Sequence, residues 1–169
     1  MEVATGTTQP SLNIVLVNPE IPPNTGNIAR MCGATRSILH LVHPLGFSTD
    51  DRHLRRAGLD YWDKVEIIHH SDLEGFFNYS QGQELLFFSA RGNALYSNAP
   101  FKDGCYLVFG SETKGLPQTI LDRFKKNTYY VPIWGDVRSL NLSTAVGIVT
   151  YEAYRQLGFG PHWRSMNLC

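Results

Sequence analysis

Short apolar runs alternate with amphipathic stretches along most of the chain. Each run is rich in Val, Ile, Leu, Phe or Tyr, and its length suits a β-strand that is covered on both faces. The predicted strands are 12–17, 38–43, 65–68, 85–89, 106–109 and 128–131. Strands that alternate with helices are typical of βαβ units, so the pattern predicts an α/β fold with a mostly parallel sheet flanked by helices.

Helix start and stop signals lie between the predicted strands. They include side chains that cap a first turn, a proline suited to a first turn and a glycine suited to a helix end. The predicted positions are Asn24 or Thr25 as the cap of a helix to about Arg36, Ser71 with Glu74 as a capping box, Pro117 in the first turn of a helix to about Lys125, and Gly158 after a helix over about 142–157.

The last predicted helix carries two apolar faces. A helix that is apolar on more than one side is usually covered on more than one side. The pattern fits a deeply buried core helix and a subunit interface equally well. One face contains Val146, Val149, Thr150, Ala153, Tyr154 and Leu157, and the other contains Ile148, Tyr151 and Arg155.

Composition limits the class of protein. A chain of 169 residues, 43% of them hydrophobic, suits one domain, which we expect over residues 11–160 between a disordered leader (1–10) and a tail (161–169). No apolar run approaches the length of a membrane span, and the first residues lack a signal-peptide pattern. Cysteines without CxxC spacing argue against disulfides and zinc and favour an intracellular, reducing compartment. These are Cys32, Cys105 and Cys169.

The overall charge does not favour a nucleic-acid partner. Lys and Arg number 15, Asp and Glu also number 15, and the formal net charge is zero, whereas proteins that bind nucleic acid are usually basic. Contacts with RNA phosphates would therefore depend on local clusters, although a solvated surface explains each cluster about as well. The candidates are Arg52, Arg55 and Arg56 in one cluster, and Arg123, Lys125 and Lys126 in another.

Three polar segments follow predicted strands, at the edge where parallel sheets bind ligands. They read PPNTGNIAR at 22–30, FGSETKGLP at 109–117, and VPI at 131–133 with RSLNLS at 138–143. Glycine in such a loop permits close approach of the backbone to a ligand, and a helix start favours an anion. An ordinary turn with capping residues explains each segment about as well.

Other catalytic patterns are missing from the sequence. It contains no GxxxxGK[ST] phosphate loop, no predicted strand that leads into GxGxxG, no HExxH zinc motif and no GxSxG nucleophile turn. The six histidines show no ligand spacing. We therefore expect no metal site.

Taken in order, the polar segments resemble the three motifs of SPOUT methyltransferases, and especially of the tRNA (cytidine/uridine-2′-O)-methyltransferases that modify the wobble nucleotide. The matching stretches are NPEIPPNTGN at 18–27, LRRAGLDY at 54–61, FGSETKGLP at 109–117, RSLNLS at 138–143 and YEAYRQLG at 151–158. The resemblance spans about residues 11–160. It departs from the subgroup at Ser111, where proline is frequent.

The resemblance implies a SPOUT fold with a C-terminal trefoil knot, a topology that general connection rules exclude. It also implies S-adenosylmethionine as the cofactor and a homodimer. The positions that resemble the family's cofactor contacts are Phe88, Gly110, Val131, Ile133, Ser139 and Leu140. The positions that it implies for RNA contact are Asn24, Asn27, Glu112, Lys114, Asn141, Ser143 and Tyr151.

The activity implied by this resemblance is 2′-O-methylation of tRNA ribose at the wobble cytidine or uridine, in the cytoplasm. The catalytic role falls on Arg30 of the facing subunit, as a stabiliser of the developing alkoxide, because arginine stays protonated. Phosphate binding is the other role open to Arg30. Two alternative functions stay open: an rRNA 2′-O-methyltransferase, and an RNA-binding module without catalysis.

Overall fold

The computed structural model describes residues 9–49 and 62–160. Within these ranges the strands are β1 (Asn13–Val17), β2 (Ile38–Val42), β3 (Ile67–His70), β4 (Leu85–Phe88), β5 (Ala94–Leu95), β6 (Tyr106–Phe109) and β7 (Thr128–Tyr130). The α-helices are α1 (Pro22–Thr35), α2 (Leu73–Tyr79), α3 (Gln118–Arg123) and α4 (Leu142–Gln156). Single 3₁₀ turns occupy Tyr96–Asn98 and Lys125–Asn127.

The described strands form one sheet in the order β3-β2-β1-β6-β4-β7-β5. Every strand pair in it is parallel. All five residues of β1, which pairs with β2 on one side and β6 on the other, are buried. These observations confirm the predicted α/β class, because parallel strands need crossover connections and covering helices on both faces.

Alternate residues of the strands face two separate core layers. Ile14 and Leu16 of β1 pack in the layer that contains α1 and α4, whereas Val15 and Val17 pack in the layer that contains α2 and α3. Phe76 of α2 is fully buried in the second layer. This period of two is the geometry of a strand with both faces covered.

Helices α1 and α4 pack against each other over one face of the sheet. The hydroxyl of Tyr154 donates to the Thr35 carbonyl oxygen at 3.0 Å and lies 2.9 Å from Ser37 Oγ, which ties α4 to the end of α1. The predicted first face of α4 is buried, as Val146 and Val149 show. Its second face stays exposed within the single chain.

The start of α1 differs from the prediction that Asn24 or Thr25 caps it. The helix begins at Pro22, and Ile21 is the cap residue without a side-chain hydrogen bond. Two prolines replace the side-chain cap, since their fixed φ suits a first turn and they lack the N–H that would need an acceptor. Asn24 is thereby free for a different task and is buried.

The caps of α2 and α4 are both side-chain caps. Asp72, not Ser71, caps α2 by accepting from the Gly75 N–H at 2.7 Å, so the predicted capping box is wrong by one residue. Asn141 caps α4, with its Oδ1 accepting from Ser143 N and Thr144 N. Both satisfy N–H groups that a first turn leaves open.

Some predicted boundaries shift in the structure. Strand β3 starts two residues later than predicted, because only 67–70 pairs with β2. Helix α3 ends at Arg123, before the predicted Lys125, where a 3₁₀ turn takes over. The short strand β5 has no apolar run to signal it and is defined by pairing with β7.

Several predictions fall outside the described residues. They include the leader over 1–8, the tail 161–169, the segment LRRAGLDY at 54–61 and the basic cluster of Arg52, Arg55 and Arg56. The division into leader, domain and tail and the trefoil knot stay predictions. In the part of the chain that is described, no helix is both long and apolar enough to span a membrane.

Candidate functional site

A cavity of about 640 Å³ opens at the carboxyl edge of the sheet. Its walls come from the residues after β4, β6 and β7 and from the starts of α1 and α4, which is where parallel sheets usually bind ligands. All six positions predicted for cofactor contact line it: Phe88, Gly110, Val131, Ile133, Ser139 and Leu140. These residues are far apart in the sequence. The parallel pairing of β4 with β6 and β7 brings them together.

The loop after β6 closes tightly on itself. A Cβ atom at Gly110 would lie 2.1 Å from the Gly115 carbonyl carbon and 2.2 Å from the Leu116 nitrogen. Gly115 itself has a φ of 66°, a left-handed conformation that glycine adopts at low cost. Gly110 is therefore required by the loop's own backbone, in addition to any ligand that approaches it.

Two carboxylates connect this loop to the segment before α1 in both directions. Glu112 accepts from the backbone N–H groups of Glu20 at 2.7 Å and Ile21 at 3.0 Å. Glu20 in turn accepts from the Thr113 N–H at 3.0 Å and from the Thr113 hydroxyl at 2.7 Å. We call this arrangement the Glu20–Glu112 clasp. Charge-assisted hydrogen bonds of this kind are about twice as strong as neutral ones.

Asn24 extends the clasp to the start of α4. Its Nδ2 donates to Glu112 Oε1 at 3.1 Å, and its Oδ1 accepts from Asn141 Nδ2 at 3.0 Å. Asn141 Oδ1 accepts from the Ser143 hydroxyl at 2.7 Å as well as from the backbone of α4. Four of the residues predicted to meet RNA thus form one hydrogen-bonded chain that joins three polar segments. Their RNA contact stays a prediction.

Arg91 is a residue of the cavity wall that the sequence did not single out. Its guanidinium donates to Gln118 Oε1 at 2.7 Å and to the Leu116 carbonyl oxygen at 2.9 Å. These bonds fix its orientation without neutralising its charge. The only signal in the sequence was its place just after a predicted strand, which is too common to be specific.

Of the remaining predicted site residues, some line the cavity and others lie outside it. Lys114 lines it, whereas Arg30, Asn27, Ser143 and Tyr151 are not among the lining residues. Arg30 and Asn27 are exposed on α1, one turn apart, and Tyr151 is 52% exposed on α4. The candidate catalytic arginine therefore does not reach the cavity wall of its own chain.

The described residues that line the cavity offer binding groups, and none of them is a histidine. The lining combines apolar side chains with the hydroxyls of Ser111 and Ser139 and with three cations, Arg91, Lys114 and Arg138. Among the described residues no group of His, Cys, Asp or Glu side chains has the arrangement of a metal site. The arrangement suits a ligand held by shape, hydrogen bonds and charge.

The buried histidines lie in the opposite core layer, away from this cavity. His40 Nδ1 lies 3.0 Å from His70 Nε2, and His40 Nε2 lies 3.0 Å from Asn13 Oδ1. Burial and the neighbouring His70 lower the pKa of His40 to about 4. Both ring nitrogens of His40 thus have hydrogen-bond partners inside the sheet, which makes this pair a structural feature of the core.

Comparison with known proteins agrees with this geometry. The model of the SpoU rRNA Methylase family matches residues 11–151. The chain belongs to this family. A curated relative from Escherichia coli strain K12, a tRNA (cytidine(34)-2′-O)-methyltransferase, is 48% identical over 149 residues, which cover 88% of this chain and 95% of the relative.

Solved structures extend the family match to three dimensions. A structure described as "Structural insights into the 2-OH methylation of C/U34 on tRNA" has a TM-score of 0.85 and 47% identity, and the match covers 88% of this chain and 97% of that one. An AdoMet-bound rRNA methyltransferase from Sinorhizobium meliloti has a TM-score of 0.79 at 24% identity, covering 89% of this chain and 58% of that one. The second likeness is one of fold alone. Together with the parallel sheet, these matches confirm the predicted SPOUT class.

Proposed function

We propose that this protein uses S-adenosylmethionine to methylate the ribose 2′-hydroxyl of the wobble nucleotide, cytidine or uridine 34, in the anticodon loop of tRNA. The observation that carries the proposal is the cavity that gathers all six positions expected to hold the cofactor. The similar proteins are named for the same reaction on the same nucleotide.

The chemistry of the cavity fits this cofactor. Phe88, Val131, Ile133 and Leu140 offer apolar surface for a purine, and Ser139 offers a hydroxyl for polar groups. The volume of about 640 Å³ lies within the range of small-molecule sites. When bound, the cofactor supplies the methyl group, and the protein's own task is to hold the acceptor ribose in line.

Positioning is the main contribution of the residues around the cavity. A reacting pair held in the correct geometry gains a large part of its rate acceleration without any acid or base. The Glu20–Glu112 clasp and its extension through Asn24 to Asn141 keep α1, the loop after β6 and the start of α4 in fixed relation. A shift of one wall relative to another would misalign the two reactants.

Arg30 acts across a homodimer in this proposal. Its side chain is exposed on α1 outside the cavity of its own chain. The adjoining α4 exposes Ile148 and Tyr151, at 36% and 52%, and apolar side chains that stay exposed side by side support a partner surface. A second copy docked there delivers Arg30 to the other cavity, where its charge stabilises the 2′-oxygen as the hydroxyl proton is released to solvent.

The RNA contacts proposed for exposed side chains are those of Asn27, Lys114 and Tyr151. Lys114 lines the cavity, and Asn27 is exposed on α1. Tyr151 is exposed on α4, and in this proposal it packs at the edge of the dimer surface with its hydroxyl toward the RNA. The other predicted residues act on RNA binding indirectly, because they hold together the loops that meet the RNA. These are Asn24, Glu112, Asn141 and Ser143. A cytoplasmic location follows from the tRNA substrate and suits the buried free thiols of Cys32 and Cys105.

The direct test is methyl transfer from labelled S-adenosylmethionine to a tRNA pool, followed by mapping of the 2′-O-methyl site. The proposal expects label at nucleotide 34 and its loss in Arg30→Ala with the fold intact. Transfer by that variant at the wild-type rate would remove Arg30 from the mechanism. An unlabelled tRNA pool would overturn the proposed substrate.

Mixing two inactive variants tests whether Arg30 acts across the dimer. Arg30→Ala keeps a sound cavity, and Gly110→Ala keeps a sound arginine. Exchange of subunits between them should restore about a quarter of the wild-type activity, since about half of the dimers are mixed and each mixed dimer has one complete site. Absence of recovery after confirmed subunit exchange would place Arg30 in the site of its own chain.

A second candidate is rRNA methylation, which the family description favours. Nucleoside mass spectrometry of tRNA and rRNA from a deletion strain separates the two candidates. Loss of a 2′-O-methyl nucleoside from tRNA supports wobble methylation, whereas loss from rRNA alone supports the second candidate. The non-catalytic alternative requires that calorimetry detect no binding of S-adenosylmethionine to the folded protein.

A further inference from the structure

Trp134 is exposed to an unusual degree for its residue type. Its side chain is 91% exposed, and Val137 in the same loop is 62% exposed. Tryptophan is highly buried on average in folded proteins, so a fully solvated one indicates a contact surface. Trp134 is not among the positions that the family resemblance assigns to the cofactor or the RNA, and the proposed mechanism gives it no role.

The loop that carries Trp134 belongs to the cavity rim. Ile133 on one side of it and Arg138 on the other both line the cavity. A Cβ atom at Gly135 would have nothing within 4 Å apart from its chain neighbours, so the backbone next to Trp134 is not packed against another part of the described chain. In the described part of the chain no hydrogen bond involves residues 133–139.

The charges around the rim favour a polyanion. Arg91, Lys114 and Arg138 line the cavity. Arg91 is oriented by Gln118 and Leu116, and no carboxylate among the described residues pairs with it. The carboxylate of Glu112 is turned to backbone N–H groups. Asp136 is the opposing exposed charge in the loop itself. Cations grouped in this way contact phosphates.

We propose that the Trp134 indole is a platform on which an unpaired base of the substrate RNA stacks, next to phosphates held by the cations of the cavity rim. This inference rests on the proposed RNA methylation. Unpaired loop bases stack on aromatic side chains, and such stacking tolerates any base because every base has a flat face. The platform positions the nucleotides beside the methylated one and does not select its base.

A protein partner fits the same loop less well. Val137 is the one exposed aliphatic side chain in the loop, and the residues at 135, 136, 138 and 139 are glycine, aspartate, arginine and serine, all of them exposed. Protein interfaces have a continuous apolar centre, which this loop lacks. The apolar side chains suited to a second copy, Ile148 and Tyr151, lie on α4 instead.

The test compares Trp134→Ala, Trp134→Phe and Val137→Ala in methyl transfer to an anticodon stem-loop. Trp134→Ala should raise KM for the RNA about 10- to 100-fold and leave the affinity for S-adenosylmethionine unchanged. Trp134→Phe should recover most of the lost affinity, because it restores a flat ring. Val137→Ala is the matched control from the same loop and should behave as wild type.

Stem-loops with one abasic nucleotide identify the stacked base. Removal of that base should weaken RNA binding by the wild type and have no further effect in Trp134→Ala, as measured by fluorescence anisotropy without methyl transfer. An unchanged KM for the RNA in Trp134→Ala overturns the inference. So does a Trp134→Ala variant that has become monomeric or has lost affinity for S-adenosylmethionine. A wild type that binds the stem-loop through Trp134 but methylates no tRNA would contradict the proposed function and leave the platform standing.

Discussion

At the scale of single residues, two features connect local geometry to measurable behaviour. His40 is completely buried in the sheet, stacked on His70 with 5.3 Å between ring centroids and flanked by Tyr79 and Tyr106. Gly110 stands where any side chain would overlap the backbone of its own loop. The burial of His40 predicts how stability depends on pH, and the crowding at Gly110 predicts how the loop responds to an added methyl group.

Acid should destabilise the fold through His40. Its pKa is 6.5 in a model peptide and about 4 in the folded protein, so between these values the unfolded chain binds a proton that the folded chain rejects. The free energy of unfolding should therefore be intact above about pH 6.5 and fall by about 3 kcal/mol toward pH 4. Urea unfolding of wild type and His40→Gln at several pH values measures it, and an equal acid loss in both proteins would contradict the assignment.

Gly110→Ala should distort the cavity and weaken cofactor binding, whereas Gly135→Ala should leave both cofactor binding and stability unchanged. The first methyl group would sit about 2 Å from the Gly115–Leu116 backbone, and the second would enter open space. Overlap with backbone forces the loop after β6 to move, at a cost of about 1–3 kcal/mol. Calorimetric titration with S-adenosylmethionine and thermal unfolding of both variants check the pair. Normal cofactor binding by Gly110→Ala would show that the loop can adjust.

At the scale of elements, the Glu20–Glu112 clasp is what fixes the loop after β6 against the start of α1. Its partners are 91 to 93 residues apart in sequence, yet they meet because β1 and β6 are adjacent in the sheet. Each strand thus ends in a loop whose carboxylate binds the N–H groups of the other. The resulting connection sets the relative position of the helix that carries Arg30.

Removal of one carboxylate should weaken this connection. Glu112→Ala leaves two backbone N–H groups and the Asn24 amide without their acceptor, and we expect a loss of about 1–3 kcal/mol in the free energy of unfolding. Lys114→Ala is the control from the same exposed loop and should stay within about 0.5 kcal/mol of wild type. Urea denaturation measures both, and equal values would show that the clasp contributes nothing to stability.

At the scale of the whole molecule, α4 presents one buried face and one exposed face. The buried face packs on α1 and the sheet, and the exposed face carries Ile148 and Tyr151. The sequence left open whether this helix belongs to the core or to a subunit interface. In our proposal it belongs to both, one face packing in the core and the other against a second subunit. In that proposal, a second copy packs over the exposed face and brings its Arg30 to the cavity of the first.

Ile148→Asp should therefore yield a monomer with little methyl transfer, because a charge would be buried between the subunits without a partner. Leu95→Asp is a matched control, since Leu95 on β5 is 37% exposed and Ile148 is 36% exposed. Light scattering gives the mass of each variant, and circular dichroism checks that it is folded. A dimeric Ile148→Asp would exclude this face as the interface.

Local patterns in the sequence were sufficient for most elements. The predicted strand 106–109 coincides with β6, and the predicted last helix matches α4 to within one residue. These signals are periodic and act between neighbours in the chain. The two prolines at the start of α1 are visible in the sequence too, but the predicted cap, Asn24 or Thr25, is wrong. The sequence does not show that the Asn24 amide is used by Glu112 and Asn141.

The sequence by itself determined the α/β class, the polar segments at the strand ends and, through family resemblance, six residues that line one cavity. The tertiary structure decided the strand order, the short strand β5, the clasp, the oriented Arg91 and the exposed Trp134. The reason is the range of the interactions. Helix and strand patterns act within a few residues, whereas a cavity wall depends on which distant strands become neighbours, and chain-wide packing alone selects them.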